Sequence, residues 1–331
     1  MAFNWSDKKV IVTGAGGFIG SHLTERLVEL GASVKDYLRY TSRADLGLLS
    51  YLPDEILDQV EVIFGDLRDM DAVRKALADV DFVFHLGALI AIPYSYLHPA
   101  EVVETNIQGT LNVLLAARDY GLARVIHTST SEVYGTALRV PIDEGHPLQG
   151  QSPYSASKIG ADKIAESFYC AYDLPVVTVR PFNTFGPRQS ARAVIPTIIS
   201  QVLTQDELHL GSLDTRRDFT FVADTVSGFI KAAEADNVFG EVYNLGTGID
   251  VTIQQIVDTV YKITGRELPI VQEQSRMRPE KSEVMRLLSD YSKAEEALGW
   301  RPEVDLETGL RRTIEWIGEN LDVYDPEIYQ K

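Results

Sequence analysis

The 331-residue chain predicts an α/β fold: a Rossmann-like, doubly wound parallel sheet with a smaller, interleaved C-terminal substrate domain. Three observations carry this expectation. Short apolar runs alternate with helical stretches through residue 180, the pattern of parallel strands joined by crossover helices. The first run, Val10-Ile11-Val12, leads into the turn Thr13-Gly14-Ala15-Gly16-Gly17-Phe18-Ile19-Gly20 and then a helix. The alternation breaks after Pro181, where loops rich in Pro, Gly and Arg begin.

In chain order, apolar runs place strands at 9–13, 33–38, 60–64, 82–86, 124–129 and 175–180. Helices are expected at 21–30, 71–78, 99–119 and 154–172. The two long helices carry broad apolar faces, Val102, Val103, Ile107, Leu111 and Leu114 on one, Ile159, Ile164, Ala165 and Phe168 on the other. Such faces can pair across a two-fold axis into a four-helix bundle, which predicts a homodimer. Beyond Pro181 a helix is expected at 195–205, and 219–222 and 242–245 read as strands returning to the first domain or its border. The tail, 253–316, reads as mostly helical. The organisation is a dinucleotide-binding domain over 1–180, with returning segments near 218–245, and a second domain of 181–217 and 246–331.

Apolar residues make up 45% of the chain, so it can bury a full core. No apolar run reaches membrane-spanning length, and the first residues lack the pattern of a signal peptide. The single cysteine, Cys170, excludes an internal disulfide, and its neighbours Phe168, Tyr169 and Tyr172 favour a buried, inert thiol. These features predict a cytoplasmic protein. A net charge of −17 argues against nucleic acid or an anionic membrane as partner. It gives meaning to local cations in the second half: Arg188 and Arg192, Arg216 and Arg217, Arg276 and Arg278, which suit a diphosphate.

Glycines at 14, 17 and 20 allow a tight turn, close approach of backbone to a pyrophosphate, and close helix–strand packing. Downstream, Tyr154 and Lys158 are four apart and share a helix face. A lysine there lowers the phenol pKa, so the phenol can take a proton from an alcohol. Thr130, Ser131 and Glu132 stand ahead of this pair, and Glu132 supplies a second base. A second carboxylate is needed only if another proton moves after the alcohol is oxidised. His85 and His127, at or near strand ends, read as core histidines bonded to backbone, and no Cys/His/Asp spacing suggests a metal.

A strand end near Leu38 leaves Asp36 two residues early for the acid that binds an NAD ribose. Arg39, Thr41, Ser42 and Arg43 follow, and guanidinium and hydroxyl groups suit a 2′-phosphate. NADP is favoured on this count. A shifted strand would let Asp36 reach the ribose and favour NAD.

Together these residues resemble the extended short-chain dehydrogenase/reductase family over nearly the whole chain. The resemblance implies a recycled, tightly bound NADP or NAD held by Gly14, Gly17, Phe18, Ile19, Gly20, Arg39, Ser42, Arg43, Asp66, Leu67, Leu86, Tyr154 and Lys158. Asp66-Leu67 looks like the adenine contact, and Thr130, Tyr154 and Lys158 look like the triad. Arg180-Pro181-Phe182-Asn183 resembles the sugar-binding turn, and Arg217-Asp218-Phe219 the segment whose arginine holds a nucleotide-sugar diphosphate. Asn183, Arg192, Arg217 and Arg278 are the implied substrate contacts. Leu298-Gly299-Trp300 with Pro302 resembles the C-terminal signature.

Within that family, Thr130-Ser131-Glu132 is similar to the triplet of nucleotide-sugar 4,6-dehydratases, notably GDP-mannose 4,6-dehydratases and bacterial dehydratases of nonulosonic-acid and surface-polysaccharide pathways. UDP-glucuronate decarboxylases share the triplet. The implied reaction oxidises C4 of a nucleotide-diphosphate sugar, removes the C5 proton through Glu132, loses water from C6 and returns hydride to C6. Ser131 stands where dTDP-glucose-type enzymes have aspartate, so the general acid stays open. The competing readings are the decarboxylase, a 4-epimerase and a non-catalytic NADP-binding regulator.

Overall fold

The computed structural model describes residues 3–276 and 279–324. The chain runs through β1 (Lys9–Thr13), β2 (Ser33–Arg39), β3 (Val60–Gly65), β4 (Phe82–His85), β5 (Arg124–Thr128) and β6 (Val176–Pro181). It continues through β7 (Asn183–Phe185), β8 (Leu208–Leu210), β9 (Arg216–Phe221), β10 (Val242–Leu245), β11 (Asp250–Thr252) and β12 (Ile270–Gln272). Seven strands form one parallel sheet in the order β10-β6-β5-β4-β1-β2-β3. Val10, Ile11 and Val12 are fully buried, as a central strand covered on both faces requires. The order reverses between β1 and β4. In such sheets that reversal opens a crevice at the carboxyl ends of the strands.

The helices are α1 (Phe18–Glu29), α2 (Asp54–Leu57), α3 (Met70–Leu77), α4 (Ile92–Leu97), α5 (Pro99–Val103), α6 (Gly109–Tyr120) and α7 (Pro153–Tyr172). They are followed by α8 (Val194–Thr204), α9 (Val222–Glu234), α10 (Ile253–Thr264), α11 (Ser292–Leu298) and α12 (Leu306–Glu319). α7 begins with a capping box, in which the Ser152 and Ser155 side chains each bond the other residue's backbone. The cap fixes where the helix starts, and so where Tyr154 and Lys158 point.

Several expectations need correction. The helix expected over 99–119 is α5 and α6 joined by a π-helical turn at Glu104–Gln108. That turn swings Asn106 inward, where it donates to the Leu89 carbonyl at 3.0 Å and to Ser157 Oγ at 2.9 Å. Of the two strands expected to return to the first domain, only β10 joins the large sheet. β9 pairs with β7 and β11 in a separate three-stranded sheet. The tail is less helical than expected, because an irregular stretch with β12 separates α10 from α11. Cys170 is exposed, not buried: it lies on the outer side of α7, while Phe168 two residues earlier turns into the core. The apolar faces also divide. Val102, Leu114, Ala165 and Phe168 are core, Ile107, Leu111, Ile159 and Ile164 are half-buried, and Val103 is exposed.

The C-terminal signature locks the second half to the first. Trp300 is fully buried and its indole N–H donates to the Asp224 carbonyl at 2.9 Å. The Asp224 carboxylate accepts from the Val304 N–H at 3.0 Å. Among the described residues, no helix is long and apolar enough to cross a membrane.

Candidate active site

The glycine turn is dictated by sterics. Gly14 has φ of 73°, and a Cβ there would sit 2.8 Å from the Gly87 backbone. A Cβ on Gly20 would come within 2.3 Å of the Gly14 carbonyl oxygen. Gly17 caps α1 without a side-chain bond, so Phe18 and Ile19 open the helix with their amides available to a phosphate. β4 closes the opposite wall, with Leu86 N donating to the Thr13 carbonyl at 3.2 Å and Gly87 N to Thr13 Oγ1 at 3.1 Å. A backbone cradle that admits no Cβ, at the switch point of the sheet, fits a dinucleotide pyrophosphate.

The adenosine end is less settled by side chains. Asp66 lies just past β3, and Arg68 Nη2 donates to its carboxylate at 2.6 Å, which holds Asp66 below the usual carboxylate range. Leu67 is buried against Gly87 and Gly109. Asp36 is fully buried inside β2, where Thr24 Oγ1 donates to its carboxylate at 2.8 Å. Burial pushes it up to about 8. It faces α1, bonded to Thr24, from inside the strand. Arg39 ends β2 and extends into solvent, with Nη2 donating to Glu101 Oε1 at 3.2 Å. Ser42 and Arg43 are exposed in the loop that follows.

The catalytic candidates converge between the end of β5 and the start of α7. Tyr154 is 7% and Lys158 4% exposed. Lys158 Nζ donates to the Thr128 carbonyl, the last residue of β5, at 2.6 Å. Thr130 Oγ1 accepts from the Glu132 N–H at 3.3 Å, and Ser131 is buried in the same turn. The expected lowering of the phenol by Lys158 is not the dominant effect. Burial pushes Tyr154 above its ordinary range; a hydrogen bond with Thr130 lowers it, and the charge of Glu132 raises it further. Lys158 itself is brought down to about 8 by burial, against the pull of Asp162.

Asp162 was not singled out by the sequence, though it lies four residues past Lys158 on the same helix face. It accepts from Ser129 Oγ at 2.7 Å, His127 Nε2 at 3.0 Å and Arg180 Nη2 at 2.9 Å. These bonds hold Asp162 down to about 2 despite burial. They also pin β5 to α7. Arg180, read as part of a sugar-binding turn, is therefore an interior cation, which also donates to the Tyr134 hydroxyl at 3.0 Å. His85 lies between Thr13 Oγ1, 2.8 Å from Nδ1, and Thr110 Oγ1, 3.0 Å from Nε2; it and His127 are core histidines as expected, but side chains hold them, not the backbone.

On the substrate side, Asn183 begins β7 just past the end of β6, and its Oδ1 is buried with no hydrogen-bond partner. Arg217 is 6% exposed on β9, with Nη2 donating to Glu283 Oε1 at 3.2 Å. Arg192 is exposed before α8, and Arg278 lies outside the described residues. The other arginines of the basic clusters sit on nearby carboxylates: Arg188 on Glu25, Arg216 on Asp250 at 2.9 Å, Arg276 on Glu273 at 2.6 Å. Among the described residues, no group of three or more His, Cys, Asp or Glu is placed to hold a metal.

Comparison with known proteins agrees with this geometry. Residues 11–313 match the family described as GDP-mannose 4,6 dehydratase. A dTDP-glucose 4,6-dehydratase of an Actinoplanes species is 31% identical, over 94% of this chain and 98% of that protein. The crystal structure of DesIV, a dTDP-glucose 4,6-dehydratase of Streptomyces venezuelae with NAD bound, superposes with a TM-score of 0.84. It is 31% identical, over 96% of this chain and 99% of that one. A UDP-glucuronic acid 4-epimerase of Bacillus cereus, also with NAD, superposes with a TM-score of 0.86 at 30% identity, over 94% of this chain and 99% of that one. The shared fold, the glycine cradle and the Thr130, Tyr154 and Lys158 constellation lead to one conclusion: the chain belongs to the GDP-mannose 4,6 dehydratase family of extended short-chain dehydrogenase/reductases, enzymes that act as nucleotide-sugar dehydratases and epimerases.

Proposed function

We propose that the protein is a nucleotide-sugar 4,6-dehydratase, converting an NDP-hexose or NDP-N-acetylhexosamine to its 4-keto-6-deoxy form. The observation that carries this reading is Glu132, a carboxylate close enough to Tyr154 for its charge to act on the phenol. Simple oxidation and return at C4 needs one base; elimination across C5 and C6 needs a second. A nicotinamide dinucleotide held in the glycine cradle would supply the two-electron chemistry that moves hydride from C4 to C6. Tyr154 takes the proton of the 4-hydroxyl, which Thr130 orients. Lys158 anchors to the end of β5 and keeps Tyr154 in place. Glu132 then removes the C5 proton acidified by the 4-ketone. Water leaves C6 with a proton from Glu132 itself, from Ser131 or from a water that Ser131 holds.

Arg217 and Arg192 bind the diphosphate, and Asn183, with its unpaired buried oxygen, accepts from a sugar hydroxyl. The exposed Arg39, Ser42 and Arg43 favour NADP, and the buried Asp36 supports the same choice. The exposed Val103 and half-buried Ile107, Leu111 and Ile164 support a homodimer through a four-helix bundle. A second reading, 4-epimerase, draws on the epimerase among the structural neighbours. Glu132 counts against it.

A C4-deuterated substrate separates them. A dehydratase places the label in a new C6 methyl group, and in heavy water C5 also takes up solvent deuterium. An epimerase returns the label to C4 with C6 still hydroxylated. A decarboxylase releases carbon dioxide from a glucuronate and leaves no methyl group. Label found anywhere but C6 overturns the dehydratase reading.

A further inference from the structure

We infer that Gln151 is a positioning residue that ties segment 279–283, whose Glu283 pairs with Arg217, to the turn and the helix bearing the two proposed bases. The inference rests on the dehydratase reading and adds to it how the two halves of the cleft are kept in register. Gln151 lies just before the Ser152 cap of α7, three residues ahead of Tyr154. Its Oε1 accepts from the Thr136 N–H at 2.5 Å and from Thr136 Oγ1 at 3.1 Å, four residues past Glu132. Its Nε2 donates to the Lys281 carbonyl at 3.2 Å, and its own carbonyl accepts from Ser282 Oγ at 2.7 Å.

Ser282 is held a second time, by the Tyr96 hydroxyl of α4 at 2.6 Å. The single Ser282 proton goes to the Gln151 carbonyl, so Tyr96 is the donor. The next residue, Glu283, carries the ion pair with Arg217. The bonded chain therefore runs from the proposed diphosphate arginine through Glu283 and Ser282 to Gln151, and from there both to Thr136 and into α7. The turn beneath is shaped for this amide. Gly135 has φ of 63°, and a Cβ there would lie 2.6 Å from Gln151 Oε1. A side chain that donates on one side and accepts on the other fits this junction, and a carboxylate does not.

Gln151→Glu keeps an oxygen for Thr136 but sets an acceptor against the Lys281 carbonyl. Ser282→Ala removes the other bond of the same tie and leaves the Thr136 bonds alone. Each variant should lose about tenfold in turnover at saturating sugar nucleotide, the scale of one hydrogen bond with its partner left unpaired. Inhibition by UDP, GDP or dTDP, whichever inhibits the wild type, should stay unchanged, as should cofactor affinity, with assays run well below each variant's melting temperature. The double variant should lose no more than the worse single one, since both act through one tie. Full turnover in either variant, additive losses, or diphosphate inhibition weakened as much as turnover would overturn the inference. A wild type that dehydrates no sugar nucleotide sinks the dehydratase reading and the inference with it. An active wild type with unaffected variants sinks the inference alone.

Discussion

Where α7 meets the end of β5, Tyr154, Lys158 and Asp162 are buried, and Lys158 and Asp162 are bonded across to β5 and its end; at the end of β2, Arg39 and Arg43 stand in solvent. Asp162 receives three side chains and Lys158 grips a strand carbonyl, whereas Arg39 leans on a single carboxylate, Glu101. Charges in a water-poor site act strongly and need no reorganisation when the reaction occurs. Charges in solvent are screened, and an exposed ion pair contributes little. On the proposed reading, the chemistry is built into the packed end of the cleft, and the choice between dinucleotides is left to groups that water already satisfies. Substitutions at the two ends should differ accordingly.

The largest effect is expected at Glu132. Glu132→Gln should slow formation of dehydrated product by about 10²–10⁴-fold, the usual worth of a positioned base. C4 oxidation should survive, visible as a rise in nicotinamide absorbance on mixing with substrate. Product at the wild-type rate would remove the second base from the mechanism.

Arg217 is buried like Tyr154 and Lys158 and is proposed to bind the diphosphate, so it tests whether burial alone marks function. Arg217→Ala should raise the substrate Michaelis constant about tenfold or more, for a charge-assisted contact worth about 1.5–3 kcal/mol. Cofactor binding should not change. A lower melting temperature with an unchanged constant would make Arg217 a structural partner of Glu283 and nothing more.

The smallest effects belong to the ribose end. Replacing Arg39 and Arg43 with alanine should weaken NADP more than NAD, and equal losses would reject the 2′-phosphate assignment. Asp36→Asn should leave both affinities unchanged. Asp36 has a carboxyl raised from 3.8 to about 8 by burial, so the folded protein holds its proton where the unfolded chain releases it. Its contribution to stability is complete below about pH 4 and is lost as the pH rises through about 8. The asparagine variant, with nothing to ionise, should therefore hold its melting temperature better than wild type from about pH 4 to 8. A selective loss of NAD affinity would return ribose recognition to Asp36.

Local physics made part of this molecule legible before any coordinates. β1 occupies the residues its apolar run marked, because a strand buried on both faces needs a continuous apolar stretch. The glycine turn and the Tyr154/Lys158 spacing were equally readable, since sterics and helical period act within a few residues. Tertiary structure alone decided which way Cys170 faces, that Arg180 serves Asp162, and that Gln151 meets Lys281, 130 residues away. Tertiary structure also sent β9 to a second sheet and raised the phenol of Tyr154 against the expected pull of its lysine. Pairing and desolvation depend on what the rest of the chain brings alongside, and no window of local sequence contains that.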